Sequence, residues 1–125
     1  MQLSFLLAIG AGGFIGAILR FIISVWIQKF FPFSFPIGTL IVNILGSFVI
    51  GFAALCFENI DSYYQKAFIV TGLLGAFTTF STFSIETVTM LQDGLYGKAF
   101  VNVIFNTSLC ILATIVGMMF FKRIL

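Results

Sequence analysis

Apolar residues run through most of the chain. Its polar positions are of two sorts, short clusters between the apolar runs and small isolated side chains within them. Four apolar stretches can be drawn, at about residues 3–27, 35–57, 67–91 and 99–121, each near the ~20 residues a helix needs to cross a hydrocarbon core. The separating clusters are Lys29 to Pro36 with both prolines, Glu58 to Lys66 with two acids and the Tyr63–Tyr64 pair, and Gln92 to Lys98 with Asp93 and Gly94. Connections this short force neighbouring helices to run antiparallel. Trp26, Tyr63, Tyr64 and Tyr96 fall at span ends, where amphipathic rings sit at headgroup level. The pattern predicts an all-α membrane protein of one domain, residues 1–125, with four transmembrane helices.

Composition agrees. Of 125 residues, 61% are hydrophobic and 8% charged, and the mean hydropathy is +1.20; soluble domains carry about a quarter of charged residues. The first apolar run is too long for a signal-peptide core, lacks a basic leader and contains Arg20, so it is expected to remain in the mature protein. Six basic against four acidic residues, with no basic run, excludes a nucleic-acid surface. Histidine is absent, which removes the commonest general base and metal ligand. Cys56 and Cys110 lie inside apolar runs without paired spacing and read as small core residues. No nucleophile stands beside a base, so enzymatic action is not expected.

Charge placement bears on orientation. With four spans both termini share one side, which carries Lys66, Lys122 and Arg123; the other carries Lys29, Lys98 and, if it snorkels, Arg20. The positive-inside rule then gives almost no net preference. A chain without orienting bias inserts both ways, and the simplest closed assembly is an antiparallel, dual-topology homodimer with its two-fold axis in the membrane plane. The alternative is that one charge of difference suffices to orient every copy.

The third span is the anomaly. From Gly72 to Ser84 it reads GLLGAFTTFSTFS, crowding glycine, threonine and hydroxyls where leucine belongs. Helix propensity is poor there and hydroxyls offer the backbone other partners. The expectation is a helix broken at the midplane, around Ala76 to Thr79; the alternative is a continuous helix whose hydroxyls bond back to the preceding turn. A break in hydrocarbon must be buried in protein or line a cavity. It would present carbonyls at the end of one half-helix and amides at the start of the next, sites for a cation and an anion respectively. Without histidine, the cation would be a hard one held by carbonyl oxygens such as those of Gly75 and Thr78, duplicated on a two-fold axis. Phe80 and Phe83 share a face of the second half; their ring edges can approach an anion, or they simply pack.

Two further spans carry polar stripes. Thr39, Asn43 and Ser47 recur at steps of four beside Gly46, and Asn102, Asn106, Cys110 and Thr114 repeat the device in the fourth span. One such stripe serves interhelical hydrogen bonds or lines a path; two of them together with the break suggest a lined route. In the first span Gly12 and Gly16 form a GxxxG packing face, and Arg20 continues it. Arg20 either concentrates anions at a pore mouth or snorkels to the headgroups. Glu86 could pair with Arg20 or with Lys98.

Taken together, Gly12-Gly13 through Arg20, the GTLIVNILGS stretch from Gly38 to Ser47 and the GAFTTFSTF stretch from Gly75 to Phe83 resemble the Fluc (CrcB) family of small fluoride channels over essentially the whole chain. The resemblance implies a dual-topology homodimer in the bacterial inner membrane with two pores lined by both subunits. These pass fluoride passively outward and relieve its cytoplasmic toxicity. It also implies a structural, non-transported Na+ at the dimer centre, held by backbone oxygens of Gly75 and Thr78. The family's pore residues map onto Asn43, Phe80 and Phe83, its hydroxyls onto Ser81 and Thr82, its polar track onto Asn102 and its arginine onto Arg20. The fourth span departs from the pattern, with Asn106 where the family has a serine and Cys110 after it; because an amide also donates hydrogen bonds, Asn106 is expected to keep a place on the pore. The rival of another class is a proton-coupled small multidrug transporter of similar size, but that carrier needs an acid in its first span, where this chain has Arg20. A non-transporting assembly subunit is the third reading.

Overall fold

A computed structural model describes residues 1–31, 34–58 and 60–125; Pro32, expected in the first connection, lies outside them. The described residues form helix α1 (Leu3–Phe30), helix α2 (Ile37–Cys56), a composite third span and helix α6 (Tyr96–Ile124). The third span opens as α3 (Tyr63–Lys66), continues as a π-helical stretch (Ala67–Leu74) and α4 (Gly75–Phe77), and ends as α5 (Phe80–Gln92). Four segments, Leu3–Phe30, Ile37–Cys56, Tyr63–Gln92 and Tyr96–Ile124, are long and apolar enough to cross a membrane, with mean hydropathy between 1.6 and 2.2. At 1.5 Å per residue the 28 residues of α1 run about 42 Å, past a hydrocarbon core of roughly 30 Å. The third span starts earlier than its apolar run implies, because Tyr63, Tyr64 and Lys66 form its first turn.

Large apolar side chains face outward along these spans. Phe14, Phe21, Phe100, Ile111 and Met119 are each more than 60% exposed, and leaving such side chains in water would forgo about 1.5–3 kcal/mol apiece. A bilayer or a protein partner covers them. The protein is a multi-pass membrane protein.

Packing rests on small residues. The α1 glycines meet the π-helical stretch so closely that a Cβ on Gly12 would lie 2.1 Å from the Phe68 carbonyl oxygen, and one on Gly16 2.1 Å from that of Leu73. The expected GxxxG face is thus a backbone-to-backbone contact. α2 packs chiefly on α6, where Gly51 and Gly117 play the same part against Thr114 and Phe48. Gln28 fastens the α1–α2 connection: its amide nitrogen donates to the carbonyls of Phe31 and Phe35, and its oxygen accepts from Gly38 N–H. The α5–α6 turn uses Gly94 at φ 75°, a left-handed conformation that favours glycine.

Candidate functional site

The site forms where α4 ends. Thr78 (φ −81°, ψ 156°) and Thr79 (φ −149°, ψ 115°) are extended, and helical geometry resumes at Phe80. Thr79 caps α5, its hydroxyl oxygen accepting from Thr82 N–H at 3.2 Å and donating to the Thr82 hydroxyl at 2.9 Å. Thr78 turns its hydroxyl back to the Leu74 carbonyl at 3.1 Å. Its methyl occupies the space that Gly46 leaves on α2: a Cβ there would lie 2.2 Å from Thr78 Cγ2.

Asn43 holds the extended segment. Its oxygen accepts from Thr79 N–H at 2.8 Å, and its nitrogen donates to the Thr79 carbonyl at 3.1 Å and to Asn106 Oδ1 at 3.0 Å. The carboxamide therefore pairs with Thr79 as one strand residue pairs with another. The polar stripes of α2 and α6 meet here. Asn106 donates to the carbonyl and the side-chain oxygen of Asn102, both at 3.0 Å, and Asn102 donates to the Thr87 hydroxyl at 2.9 Å. Thr114 donates to the Ser47 carbonyl. Asn102 is fully buried, and Asn43 and Asn106 nearly so.

These bonds have a consequence for two carbonyls. In an unbroken α-helix the Thr79 and Thr82 N–H groups would be aimed at the carbonyls four residues back, those of Gly75 and Thr78. Here Thr79 N–H goes to Asn43 and Thr82 N–H to the Thr79 hydroxyl. The oxygens of Gly75 and Thr78 are thereby released as hard, neutral donors of the kind that suits an alkali cation, so the residues present fit such an ion.

Two cavities flank the segment. One, of about 470 Å³, is lined by Asn43, Ser47, Thr78, Thr79, Phe80, Phe83, Asn106 and Cys110 among others. The second, of about 240 Å³, is lined by Arg20, Phe21, Ser24, Val42, Thr79 and Thr82. The Phe80 and Phe83 rings stand 5.2 Å apart at 57°; Phe83 is buried and Phe80 is 75% exposed. The structure thus gathers Asn43, Thr78, Phe80, Phe83 and Asn106 around the larger cavity, and Arg20 and Thr82 around the smaller. Ser81 is exposed and Gly75 lies on the outer face of α4. Asn102 sits behind Asn106, away from both cavities. Glu86 joins neither Arg20 nor Lys98: its Oε1 accepts from Thr39 at 2.6 Å, its Oε2 is buried without a partner among the described residues, and Lys98 bonds Ser34.

Residues 7–118 match the family described as CrcB-like protein, Camphor Resistance (CrcB). The chain belongs to the CrcB family. A relative from a Sulfurovum species is 60% identical over 99% of this chain and 98% of its own length. One from a Nitratiruptor species is 50% identical over 98% and 96%, and one from Campylobacter jejuni is 50% identical over 97% and 100%. All three carry the name fluoride-specific ion channel FluC. The CrcB family is one of channels, not enzymes. Three features of this CrcB protein's site escaped sequence reasoning: the room Gly46 makes for Thr78, the bond between Thr39 and Glu86, and the part of Thr87. Only Thr39 and Gly46 carried a signal, through their place on the α2 stripe.

Proposed function

We propose that the protein is a fluoride-selective channel that passes fluoride passively out of the cell across the bacterial inner membrane. The observation that carries the reading is the extended Thr78–Thr79 segment, clamped by Asn43, with a cavity beside it that Asn43, Asn106 and a phenylalanine pair line. Near-full-length relatives named as fluoride channels support it.

Fluoride is small and strongly hydrated, so a conducting site must replace its water with donors while avoiding a fixed positive charge that would hold it. The first turn of α5 offers such donors. Asn43 and the Thr79 hydroxyl use the N–H groups of Thr79 and Thr82, leaving those of Phe80 and Ser81 at the positive end of a helix dipole. The hydroxyls of Ser47 and Ser81 add to them, and the edges of Phe80 and Phe83 carry weak positive potential. Both amide hydrogens of Asn43 are engaged within the chain, so Asn43 serves this path first by holding Thr79 in place. Arg20, on the opposite cavity with the Thr82 hydroxyl, raises the anion concentration near the segment.

The reading includes an antiparallel, dual-topology homodimer, with the interruption of the third span at the midplane where the two copies meet. Phe80, 75% exposed at a polar segment, then lies against the partner or the pore rather than lipid. At the two-fold axis the Gly75 and Thr78 carbonyls of both copies would hold a structural Na+, whose chemistry is to neutralise the converging oxygen dipoles. Fluoride-electrode efflux from fluoride-loaded liposomes holding the purified protein tests the function. Fluoride release far above that of empty vesicles, with chloride retained, is the expected result; no release rejects it. Cross-links between opposite ends of α1 and its copy test the orientation, and only same-end products would reject the antiparallel dimer.

A further inference from the structure

The hydrogen bonds that begin at Thr79 form a relay with one direction. Thr79 N–H donates to Asn43 Oδ1, and Asn43 Nδ2 donates to Asn106 Oδ1. Asn106 Nδ2 donates to Asn102 Oδ1, Asn102 Nδ2 to Thr87 Oγ1, and the Thr87 hydroxyl to the Phe83 carbonyl at 2.8 Å. The Thr79 backbone N–H can only donate, and this sets the orientation of the first carboxamide. Each amide then fixes the next, because its oxygen is taken by the donor before it and only its nitrogen remains for the acceptor after it. Bonds in such a chain polarise one another, by about 10–30% each.

The relay starts on a particular peptide unit. Thr79 N–H belongs to the same planar group as the Thr78 carbonyl, and in a trans peptide the two point in opposite directions. An acceptor on the N–H pushes electron density through the amide toward the Thr78 oxygen and makes it more negative, and clamping the N–H on Asn43 fixes the direction in which that oxygen points. Its usual helical donor, Thr82 N–H, is on the Thr79 hydroxyl. A serine at position 106 would be too short to bridge Asn43 and Asn102 and has one hydrogen to donate where the amide has two.

We infer that Asn106, with Asn102 and Thr87, is a positioning residue for the Thr78–Thr79 peptide unit, orienting and polarising the Thr78 carbonyl toward a monovalent cation. Asn106 so acts through Asn43 and does not itself touch the ion. The inference rests on the proposed Na+ site.

The test uses the full-length protein in detergent, titrated with NaCl against N-methyl-D-glucamine chloride at constant ionic strength. The readout is the apparent Na+ midpoint, meaning the Kd fitted to the rise in melting temperature, because an ion bound only to the folded state stabilises it in proportion to ln(1 + c/Kd) at Na+ concentration c. In Asn106→Leu this midpoint should rise about tenfold. Thr87→Val, nearly isosteric and at a residue that lines neither cavity, should raise it about threefold and serves if the leucine variant fails to fold. Asn106→Gln, which keeps both ends of the amide, should recover part of the shift. A midpoint unchanged in both Asn106→Leu and Thr87→Val, with the parent protein responding to Na+, overturns the relay and leaves the Na+ reading standing. No Na+-specific stabilisation of the parent protein overturns the Na+ reading itself, and this inference with it.

Discussion

Replacing Asn43 with leucine removes three hydrogen bonds while keeping the branched shape of the side chain. The partners left behind are the Thr79 N–H at 2.8 Å, the Thr79 carbonyl at 3.1 Å and Asn106 Oδ1 at 3.0 Å, all in a region where Asn43, Thr79 and Asn106 are buried. A buried polar group without a partner costs about 1–3 kcal/mol. The extended segment has an escape: by coiling, it can return Thr79 N–H to the Gly75 carbonyl and recover a helical bond. The substitution therefore biases the segment toward a continuous helix by the two bonds made to Thr79, about 2 kcal/mol, which is roughly thirtyfold in population. Fluoride efflux from liposomes, normalised to reconstituted protein, should fall by about that factor. Asn43→Asp keeps an acceptor for Thr79 N–H but sets an oxygen against the Thr79 carbonyl and Asn106 Oδ1, so it should fall as well. A leucine variant that runs as a single species on size exclusion and conducts within threefold of the parent would refute the clamp.

Two other experiments probe different parts of the molecule. Changing Phe80 and Phe83 together to alanine removes both ring edges from the larger cavity and should lower fluoride throughput at least tenfold; parental rates in the same efflux assay would assign the rings to packing alone. Gly16→Ala places a Cβ 2.1 Å from the Leu73 carbonyl oxygen, a backbone atom that cannot swing aside, so α1 must withdraw from the third span. The expected outcome is a melting temperature lower by several degrees and loss of the monodisperse species, whereas Gly10→Ala, with nothing within 4 Å of the added carbon, should change neither.

The sequence by itself determined the spans, the packing faces and the stripes, because each is a property of one helix. Apolar length sets where a segment can cross a bilayer, and a spacing of four places Thr39, Asn43 and Ser47 on one side of α2 whatever lies opposite. Gly12 and Gly16 marked a close approach for the same reason. The run of glycine, threonine and serine from Gly72 to Ser84 marked the segment whose backbone needs help from outside. What the sequence could not contain is the source of that help. Periodicity gives the direction a side chain leaves its helix, but not which atom of another helix waits there, so the stripe on α2 read equally as glue or as a path. The tertiary structure decided that Asn43 spends its carboxamide on Thr79, that Asn106 and Asn102 extend the bond to Thr87, and that Glu86 meets Thr39 rather than a cation. Those pairings depend on the rotation and height of four helices relative to one another, and these are fixed by glycine contacts summed over the whole bundle.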